Sequence, residues 1–524
     1  MLKSGTGGRF RRALFGVDTL AVCVLVAGFL VFYVKTLLPG IDSFGDITKA
    51  QFVGYLLGTT HPTGYPLYLM LSWAYTHLPL PGSLAYRMNL LSAMFATLAL
   101  AFVYLAQRQL RVRPAAALIG AAALGFSRTF WSQSVIAEVY ALNSLFVAAL
   151  LWSLIRYALT HERRWFLTSA AIYCASFDHH LTVIMLLPAF ALLTLATEPA
   201  ILKSPKAVLA TLGMIVAAAS LYVYPLWRTH AGSLYLEYRI HNFKELLNYV
   251  GGERYRRVMF HFGFMQLLFS RAPRFVGQLV GELGLLAVFA AWGIGACRPR
   301  LVRAALLLAL LGEFIWVLGY NIPDIGIYMI PVVLVTSIFV GVGVEAALRA
   351  LSGWQGWAAF GGAAACLVLL PLHNFRPMQL HTRDVKYERT VDHALTLLGQ
   401  HAVVAGCVHY GGRMAYVYYF YAGGLDTSRD LHLAAGATAP RISAYLHGKT
   451  HLVDSHTHSN IPPGRRVFVA PCSRRLPFKR FGLALGPSRY GLRQVKLKPE
   501  PAGRRPPGRR LPSRLQSPLR RRAH

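Results

Sequence analysis

Charged residues are scarce in this chain, and acidic residues are the scarcest of them. Of the 524 residues, 14% are charged and 55% are hydrophobic, and the mean hydropathy is +0.42. A soluble domain carries about 25% charged residues. This composition therefore excludes an ordinary soluble enzyme and predicts an integral membrane protein.

The shortage of acid leaves a large positive charge, whose position matters more than its size. The chain has 54 Lys and Arg against 21 Asp and Glu, a formal net charge of +33. Residues 473–524 hold sixteen Lys and Arg and one acid, Glu500, and so carry +15 of that total. Because so much of the excess is terminal, we expect no nucleic-acid partner, although the tail suits an anionic lipid surface.

Cysteine is also sparse, and nucleotide-binding motifs are missing. The six cysteines show no spacing that a structural zinc site requires. Cys407 and Cys472 lie in the polar C-terminal part and would form a disulfide only in an oxidising compartment. The chain contains no convincing P-loop or dinucleotide fingerprint, which argues against a bound nucleotide.

Long apolar runs dominate the first 372 residues. A helix needs about 20 apolar residues to span the hydrocarbon. About eleven runs qualify or nearly qualify: 17–38, 86–106, 114–130, 138–157, 165–178, 181–197, 206–226, 277–297, 301–320, 326–348 and 355–372. The run at 165–178 is short for a crossing. The sequence predicts an all-α polytopic bundle of about eleven transmembrane helices.

Basic residues orient this bundle. Lys3, Arg9, Arg11 and Arg12 precede the first run, which places the N-terminus in the cytoplasm by the positive-inside rule. A cleaved signal peptide is the alternative, but the run is longer than a usual signal and no A-x-A site follows it. We expect a bacterial inner membrane. The outward segments are then 39–85, the short turn near Ser132, the turn at 178–180, the loop 227–276, the turn at 321–324 and everything after residue 372.

Three domains are predicted from these shifts in composition. Residues 1–372 form the transmembrane domain, and residues 373–497 form a small extracytoplasmic domain of mixed polar sequence, compatible with an α/β fold. Residues 498–524, rich in Pro, Gly and Arg, cannot bury a core and should be disordered.

Polar residues in the first outward loop carry the first candidate site. Asp42 and Asp46 lie just beyond the first run, followed by the Pro/Gly-interrupted block HPTGYPLY at 61–68. Such a break at membrane depth is tolerated where it lines a cavity or packs in protein. A carboxylate here could remove the proton from an acceptor hydroxyl, and Asp46 is the candidate base. The alternative is that both aspartates cap a helix that begins near Ile47.

Three arginines lie at outer helix ends, where the positive-inside rule does not require them. Arg87, Arg128 and Arg228 could each hold a phosphate with two hydrogen bonds. For any one of them, the alternative is a side chain that reaches the interface or pairs with Asp46 or Glu138.

Further ionisable groups lie in turns between apolar runs. Glu138 begins an apolar helix, where capping alone could explain it. Asp178, His179 and His180 form a polar turn, for which an ordinary turn or an acceptor contact is favoured over a metal site. Asp324 is the only charge in its turn, and a plain turn is the alternative there.

Four blocks in order carry a resemblance to a known family. They are GDITKAQFVGYLLGTTHPTGYPLY (45–68), AYRMNLLSA (85–93), FWSQSVIAEVYALN (130–143) and YNIPDIGIY (320–328). Together they resemble the protein O-mannosyltransferase-like membrane family, formerly a domain of unknown function. The resemblance covers roughly the first 200 residues, touches 220–330 weakly and leaves the C-terminal third unassigned.

The resemblance implies the GT-C glycosyltransferase architecture, with a catalytic acid in the first outer loop and a polyprenyl-phosphate sugar as donor. Asp46 matches the family's loop-one aspartate. The family often has Asp-x-x-Glu there, whereas this chain has Lys49 in the last position. That difference puts a second carboxylate in doubt and suggests that Lys49 supplies phosphate affinity. The predicted donor and acceptor residues are Asp42, Lys49, His61, Tyr65, Arg87, Arg128, Glu138, Tyr140, Asp178, His179, His180, Arg228 and Asp324.

On this basis we expect an inverting transfer of a hexose such as mannose from polyprenyl phosphate to a protein or cell-envelope acceptor. We expect no cofactor, because no acidic cluster of the DxD kind supports the metal that this superfamily sometimes uses. Membrane lipid is the remaining partner. The alternatives are a transporter or lipid flippase, which would show an internal repeat, and a non-catalytic assembly subunit that binds through its C-terminal domain.

Overall fold

The computed structural model describes residues 5–42, 45–351, 353–382, 386–406, 410–422, 429–455, 459–470, 476–481, 483–490 and 492–498. Cys407, Cys472 and most of the basic tail lie outside these ranges.

The α-helices are α1 (Gly5–Lys35), α2 (Ile47–Phe52), α3 (Pro66–Thr76), α4 (Leu84–Gln109), α5 (Pro114–Phe126), α6 (Arg128–Ser134), α7 (Tyr140–Thr160), α8 (Arg163–Phe177), α9 (Leu187–Thr197), α10 (Pro205–Leu221), α11 (Val223–Ala231), α12 (Phe243–Val250), α13 (Glu253–Arg256), α14 (Phe264–Gln266), α15 (Ala272–Leu283), α16 (Leu286–Ala296), α17 (Arg300–Gly319), α18 (Ile330–Ala350), α19 (Trp354–Thr382), α20 (Lys386–Leu398), α21 (Tyr410–Val417) and α22 (Ala439–Leu446). Short 3-10 or π turns are at Leu181–Leu186, Pro199–Lys203, Leu267–Arg271, Ile325–Met329, Tyr418–Ala422 and Phe478–Phe481.

The helices form the expected multi-pass membrane bundle. Within the described ranges, seven helices are long and apolar enough to cross a membrane, or eight if one bent pair counts as a span. Two shorter apolar helices, Pro114–Phe126 and Leu181–Thr197, accompany them. The predicted count of about eleven is therefore roughly confirmed. The remaining run, 165–178, forms α8, whose 15 residues reach about 22 Å at 1.5 Å per residue, short of a bilayer core.

One predicted span is bent. The sequence predicts one helix over 277–297, but this run divides between α15 and α16. The helical segment Phe264–Leu283, which ends with α15, meets α16 at an angle of 104°. Gly284 lies at the break with φ 56° and ψ −139°, a backbone conformation that is open to glycine and strained for other residues. Hydropathy alone does not report such a break, because both halves are apolar.

Close packing of small residues holds the centre of the bundle. Helices α16 and α18 cross with Gly293 against Gly343, and a Cβ at either glycine would overlap a carbonyl oxygen of the facing helix. Backbones approach this closely in membranes where small residues face each other. Helix α18 is buried along most of its length, so it forms the core around which α4, α5, α7 and α16 are arranged.

The C-terminal part is a small domain with a mixed sheet, as predicted. Its strands are β1 (Ala402–Gly406), β2 (Leu431–Ala435), β3 (Leu452–Val453), β4 (Asn460–Ile461), β5 (Arg466–Val469), β6 (Leu483–Leu485) and β7 (Arg493–Leu497). The main sheet has the order β2-β1-β5-β7-β6, and β1 is parallel to both β2 and β5. Helix α19 continues to Thr382, beyond the predicted boundary at residue 372.

This domain packs directly on the first loop. Phe52 of α2 shares an apolar core with Leu395, Val404 and Phe468 of the C-terminal domain. The hydroxyl of Tyr418 accepts a hydrogen bond from the backbone N–H of Ala85, at 3.2 Å. The domain and the first loop therefore lie on the same side of the bundle.

Candidate active site

Helix α2 carries the centre of the site. Asp46 occupies the position before this helix, yet its side chain makes no capping hydrogen bond. Its Oδ2 lies 2.9 Å from Nζ of Lys49 and 3.2 Å from Nδ1 of His61. The side chain of Asp46 is 32% exposed, whereas that of Lys49 is 3% exposed. The carboxylate thus faces outward from a buried cation, and helix capping does not account for it.

A second carboxylate reaches the same cation from the distant loop 227–276. Oε2 of Glu237 lies 2.9 Å from Nζ of Lys49, and its side chain is 18% exposed. A short parallel bridge between Thr59 and Leu236 brings this loop beside the first one. Sequence analysis missed Glu237, because nothing in the sequence pairs two segments 177 residues apart. The structure thus places a second carboxylate beside Lys49, contributed by a different loop from the one that carries Asp46.

Opposing effects set the pKa of Asp46. Burial raises the pKa of this carboxyl, but the hydrogen bond to His61 and the charges of Lys49 and His61 outweigh burial and hold it well below its usual range. Asp46 is therefore ionised at neutral pH. Lys49, shared between two carboxylates, provides the buried countercharge that such a pair requires.

An aromatic arm extends the site from His61 toward the bundle. Nε2 of His61 lies 3.0 Å from the hydroxyl of Tyr65. The ring of Tyr65 stacks on His180, with centroids 5.8 Å apart and planes 22° apart. His180 in turn packs near Tyr140 and Tyr328. The predicted residues His61, Tyr65, Tyr140 and His180 are thus contiguous.

Tyr65 holds its place through an uncommon backbone conformation. Its φ is 48°, in the left-handed region that costs a non-glycine residue energy. Immediately after it, the N–H of Leu67 donates to the carbonyl of Asp178, at 3.1 Å. This bond joins the HPTGYPLY block to the polar turn at 178–180 and helps to place Tyr65 against His180.

Asn89 fixes the relation between α2 and Glu138. Its Oδ1 accepts from Nε2 of Gln51 at 3.1 Å and from the N–H of Ala137 at 2.7 Å. Its Nδ2 donates to the carbonyl of Leu38 at 2.8 Å. Asn89 belongs to the AYRMNLLSA block but was not predicted as a site residue. It connects the segment that follows α1, helix α2 and the turn that carries Glu138.

Glu138 lies in that turn, just before α7, and is electrostatically coupled to Asp46. Burial, followed by the charge of Asp46, raises the pKa of Glu138 to about 8. Asp324, which is exposed in its turn, also contributes to this increase. Glu138 is therefore largely protonated at neutral pH and is available as a hydrogen-bond donor.

The turn at 178–180 is buried, and its two histidines are neutral. His179 donates from Nε2 to the carbonyl of Val139, at 2.7 Å. Burial lowers the pKa of His179 to about 4 and that of His180 to about 3. In the part of the chain that the structure describes, no group of three or more His, Cys, Asp or Glu could hold a metal ion. The expectation that the protein uses no metal cofactor stays a prediction.

A small polar cavity continues the site into the bundle. Tyr140, His180 and Tyr328 line it, together with Asn143 and Glu313, and its volume is about 10 Å³, room for one water molecule. Glu313 of α17 is 1% exposed. Among the described residues, neither Oε1 of Glu313 nor Oδ1 of Asn143 has a hydrogen-bond partner. A lone carboxyl in an apolar helix was a visible signal for a functional residue, and sequence analysis did not use it.

The predicted arginines lie apart from this cluster. Arg87 donates from Nη1 to the carbonyls of Thr76 and Leu78, at 2.9 and 3.2 Å. Arg228 donates from Nε to the carbonyl of Leu57 at 2.7 Å and lies over Trp227. Arg128 is exposed at the start of α6. Their role in holding phosphate stays a prediction.

Asp42 is held beside α2 through its backbone. Its N–H donates to the hydroxyl of Thr48 at 3.1 Å, and its carbonyl accepts from the same hydroxyl. These bonds attach the beginning of the first outward segment to the second residue of α2. They place Asp42 next to the site without bringing its carboxylate into the contacts of Lys49 described above.

Residues 49–202 match the family model of the protein O-mannosyl-transferase TMEM260 N-terminal domain. The chain is 37% identical over 140 residues to the protein O-mannosyl-transferase TMEM260 of Mus musculus, which is 26% of this chain and 19% of the relative. It is 29% identical over 139 residues to tmem260 of Dictyostelium discoideum, again 26% of this chain and 17% of the relative. The family resemblance is thereby confirmed for this segment, although the matches span less than a fifth of either relative's length.

The fold is similar to that of a solved protein, ArnT, over nearly the whole chain. The crystal structure of ArnT from Cupriavidus metallidurans bound to undecaprenyl phosphate superimposes with a TM-score of 0.62 and 12% identity, covering 90% of this chain and 97% of ArnT. The same protein in its apo state gives a TM-score of 0.57. The likeness confirms the expected GT-C architecture.

Proposed function

We propose that this protein is a membrane glycosyltransferase that moves a hexose such as mannose from polyprenyl phosphate to a Ser or Thr hydroxyl of a protein. The observation that carries the proposal is the cluster of Asp46, Lys49, His61 and Glu237. Lys49 and His61 lie within the segment that matches the O-mannosyl-transferase model. A cell-envelope acceptor would use the same chemistry.

Asp46 is the proposed base. The acceptor oxygen forms a bond to the anomeric carbon, the bond from that carbon to the phosphate oxygen breaks, and polyprenyl phosphate leaves with the electron pair. The proton of the hydroxyl passes to the carboxylate of Asp46, which is ionised and partly exposed. Attack opposite the leaving phosphate inverts the anomeric configuration. Because the sugar phosphate is already activated, alignment and one proton transfer suffice.

Lys49 would couple donor binding to the basicity of Asp46. In the structure its ammonium group pairs with Asp46 and Glu237, and its charge, after the hydrogen bond from His61, helps to hold the pKa of Asp46 low. A donor phosphate that attracts this ammonium would weaken its hold on Asp46. The pKa of Asp46 would then rise, and the carboxylate would become a stronger base when the donor is in place.

The membrane face follows from the basic residues rather than from the cluster. We propose that the N-terminus lies in the cytoplasm and that the site opens on the opposite face. The two relatives described above come from eukaryotes, so they give no support to the bacterial inner membrane that was expected. A luminal face would present the same site.

The proposal is tested by supplying membranes that contain the protein with labelled polyprenyl-phosphate hexoses and Ser/Thr peptides. We expect transfer to the peptide hydroxyl with an anomeric configuration opposite to that of the donor, and its loss in Asp46→Asn at matched expression. Retained configuration, or equal transfer by the variant, would contradict the role of Asp46. Labelled lipid that crosses sealed vesicles without transfer would favour the flippase alternative.

A further inference from the structure

A cleft in the outer loop opens beside the candidate active site. It has a volume of about 490 Å³, which is within the roughly 300–1,000 Å³ of ordinary ligand sites. Pro62 lies at one wall, directly after His61, and Tyr238 lies at another, directly after Glu237. The lining is Pro62, Tyr238, Arg239, Ile240, Glu245, Asn248, Tyr249, Glu253 and Arg257.

Direct contacts join the walls of this cleft to the loop that carries Thr60 and His61. The hydroxyl of Tyr249 donates to the carbonyl of Thr60, at 2.6 Å. Helix α13 contributes Glu253 to the cleft and Tyr255 to the ring of His61, with centroids 6.2 Å apart in an edge-to-face contact. A chain lying in the cleft would therefore approach His61 and Asp46 from the Pro62 end.

The charges of the lining favour one class of occupant. Arg239 and Arg257 balance Glu245 and Glu253, so the cleft carries no net charge and has no preference for a polyanion such as a lipid phosphate. Glu245 already bonds the N–H of His241 at 2.9 Å and Asn242 at 2.7 Å, which completes the start of α12. Arg239, Glu253, Arg257 and Asn248 are exposed.

We infer that this cleft binds an extended segment of the acceptor polypeptide and presents its hydroxyl to Asp46. This inference rests on the proposed function and adds the acceptor subsite to it. Amide, aromatic and paired charged side chains suit a peptide backbone with mixed side chains, and the volume suits a few residues. Arg257 and Glu253 contact charged side chains near the acceptor hydroxyl and so select the local sequence.

The test measures transfer and peptide binding separately in the full-length protein. Asn248→Trp fills the cleft, and Leu247→Trp places the same side chain on the exposed neighbouring position outside the lining. With polyprenyl-phosphate mannose as donor, Asn248→Trp should raise the KM for a Ser/Thr peptide at least about tenfold, the equivalent of 1.4 kcal/mol. The donor KM should be unchanged, and Leu247→Trp should behave like the wild type.

Charge reversal sharpens the test. Arg257→Glu should shift the preference between acidic and basic peptides by about threefold, the size that exposed ion pairs allow, whereas Lys244→Glu outside the lining should not. Binding of fluorescent peptides, followed by anisotropy, separates the two proposals. Peptide that binds the wild type and not Asn248→Trp, without any transfer, would support the cleft and refute the proposed activity. An unchanged KM or binding constant in Asn248→Trp, or no peptide binding to the wild type, would refute the cleft.

Discussion

Two aspartates in this protein have nearly the same neighbours but very different settings. Asp46 contacts Lys49 and His61. Asp430, in the C-terminal domain, contacts Arg465 at 2.6 Å, His432 at 2.8 Å and His401 at 2.9 Å. An aspartate with a histidine and a cation is therefore not, by itself, evidence of a catalytic site.

The settings separate the two clusters. Three residues of the Asp430 cluster come directly before a strand: His401 before β1, Asp430 before β2 and Arg465 before β5. They therefore lie at the amino ends of three parallel strands. Ligands of parallel sheets bind at the opposite, carboxyl ends. In the Asp430 cluster one aspartate collects Arg465, His401 and His432, and His432 also contacts Asp454, so these contacts tie strands together. In the Asp46 cluster one buried Lys49 is divided between two carboxylates beside an open cleft, an arrangement that a substrate charge could change.

The strongest test of this comparison replaces each aspartate by asparagine. Asp46→Asn should lower transfer by about 10²–10⁴-fold, the usual contribution of a general base. Asp430→Asn should keep transfer within about twofold, as for substitutions away from a site. Initial rates at matched expression, with thermal unfolding as a check on folding, give the result. Equal losses in both variants would show that the two clusters do not differ in this way.

The divided cation gives the second prediction. Lys49→Met leaves Asp46 and Glu237 without their shared partner and should destabilise the protein by about 3 kcal/mol, as expected for a broken buried pair. The pKa of Asp46 should rise toward its usual value, because the charge of Lys49 helps to hold it down. The acid limb of the pH–rate profile should therefore move to higher pH. Lys49→Arg, which keeps the charge, is the control, and an unmoved limb in Lys49→Met would contradict the assignment.

The third prediction concerns Glu138, a carboxyl whose pKa is affected by burial and by the charge of Asp46. The pKa of Glu138 is raised to about 8, mainly by burial, so the folded state holds a proton that the unfolded state releases near pH 4.5. Stability should fall as pH rises from about 4.5 to 8, by at most about 1.4 kcal/mol per pH unit, and then level off. Glu138→Gln removes this dependence and should be more stable than the wild type at pH 7.5. Thermal unfolding at pH 5 to 9 checks it, and parallel curves for both proteins would rule it out.

The buried Glu313 offers a comparison within the site. One of its carboxylate oxygens has no bonding partner among the described residues, so Glu313→Gln should change thermal stability little or increase it. If the cavity serves the reaction, transfer should still fall, by about tenfold or less, because one polar contact is worth roughly a kcal/mol. Transfer rates and melting temperatures measured on one preparation show whether activity and stability separate. Unchanged transfer would make the cavity a structural feature only.

Hydropathy was sufficient for the bundle because every span must carry its own apolar length. It did not foresee the break at Gly284, where a glycine with positive φ turns α15 away from α16 within one apolar run. Similarly, the strands after residue 400 were expected only in general terms, since short alternating runs do not specify the order β2-β1-β5-β7-β6.

The site was predictable where its residues are close in sequence and obscure where they are not. Asp46, Lys49, His61 and Tyr65 fall in one block, and the structure brings them together. Glu237 depends on a bridge between Thr59 and Leu236, which no local pattern reveals. Outer arginines were selected by charge alone, and two of them use their donors on backbone carbonyls. A position at the outer rim is therefore weaker evidence than a shared motif.

The smallest expected effect concerns His432 of the Asp430 cluster. The hydrogen bond from His432 to Asp454 raises the pKa of His432, and that to Asp430 adds to it, against the effect of burial. Its contribution to stability is therefore fully present below the unfolded pKa of 6.5 and is lost as pH rises through the higher folded value. The C-terminal domain should be more stable at pH 6 than at pH 8 by less than about 1 kcal/mol, because the pair is partly exposed. Hydrogen exchange of β1 and β2 measures this difference, which His432→Gln should abolish without changing transfer. A parallel loss of transfer would mean that the Asp430 cluster acts on the active site through the core shared with α2.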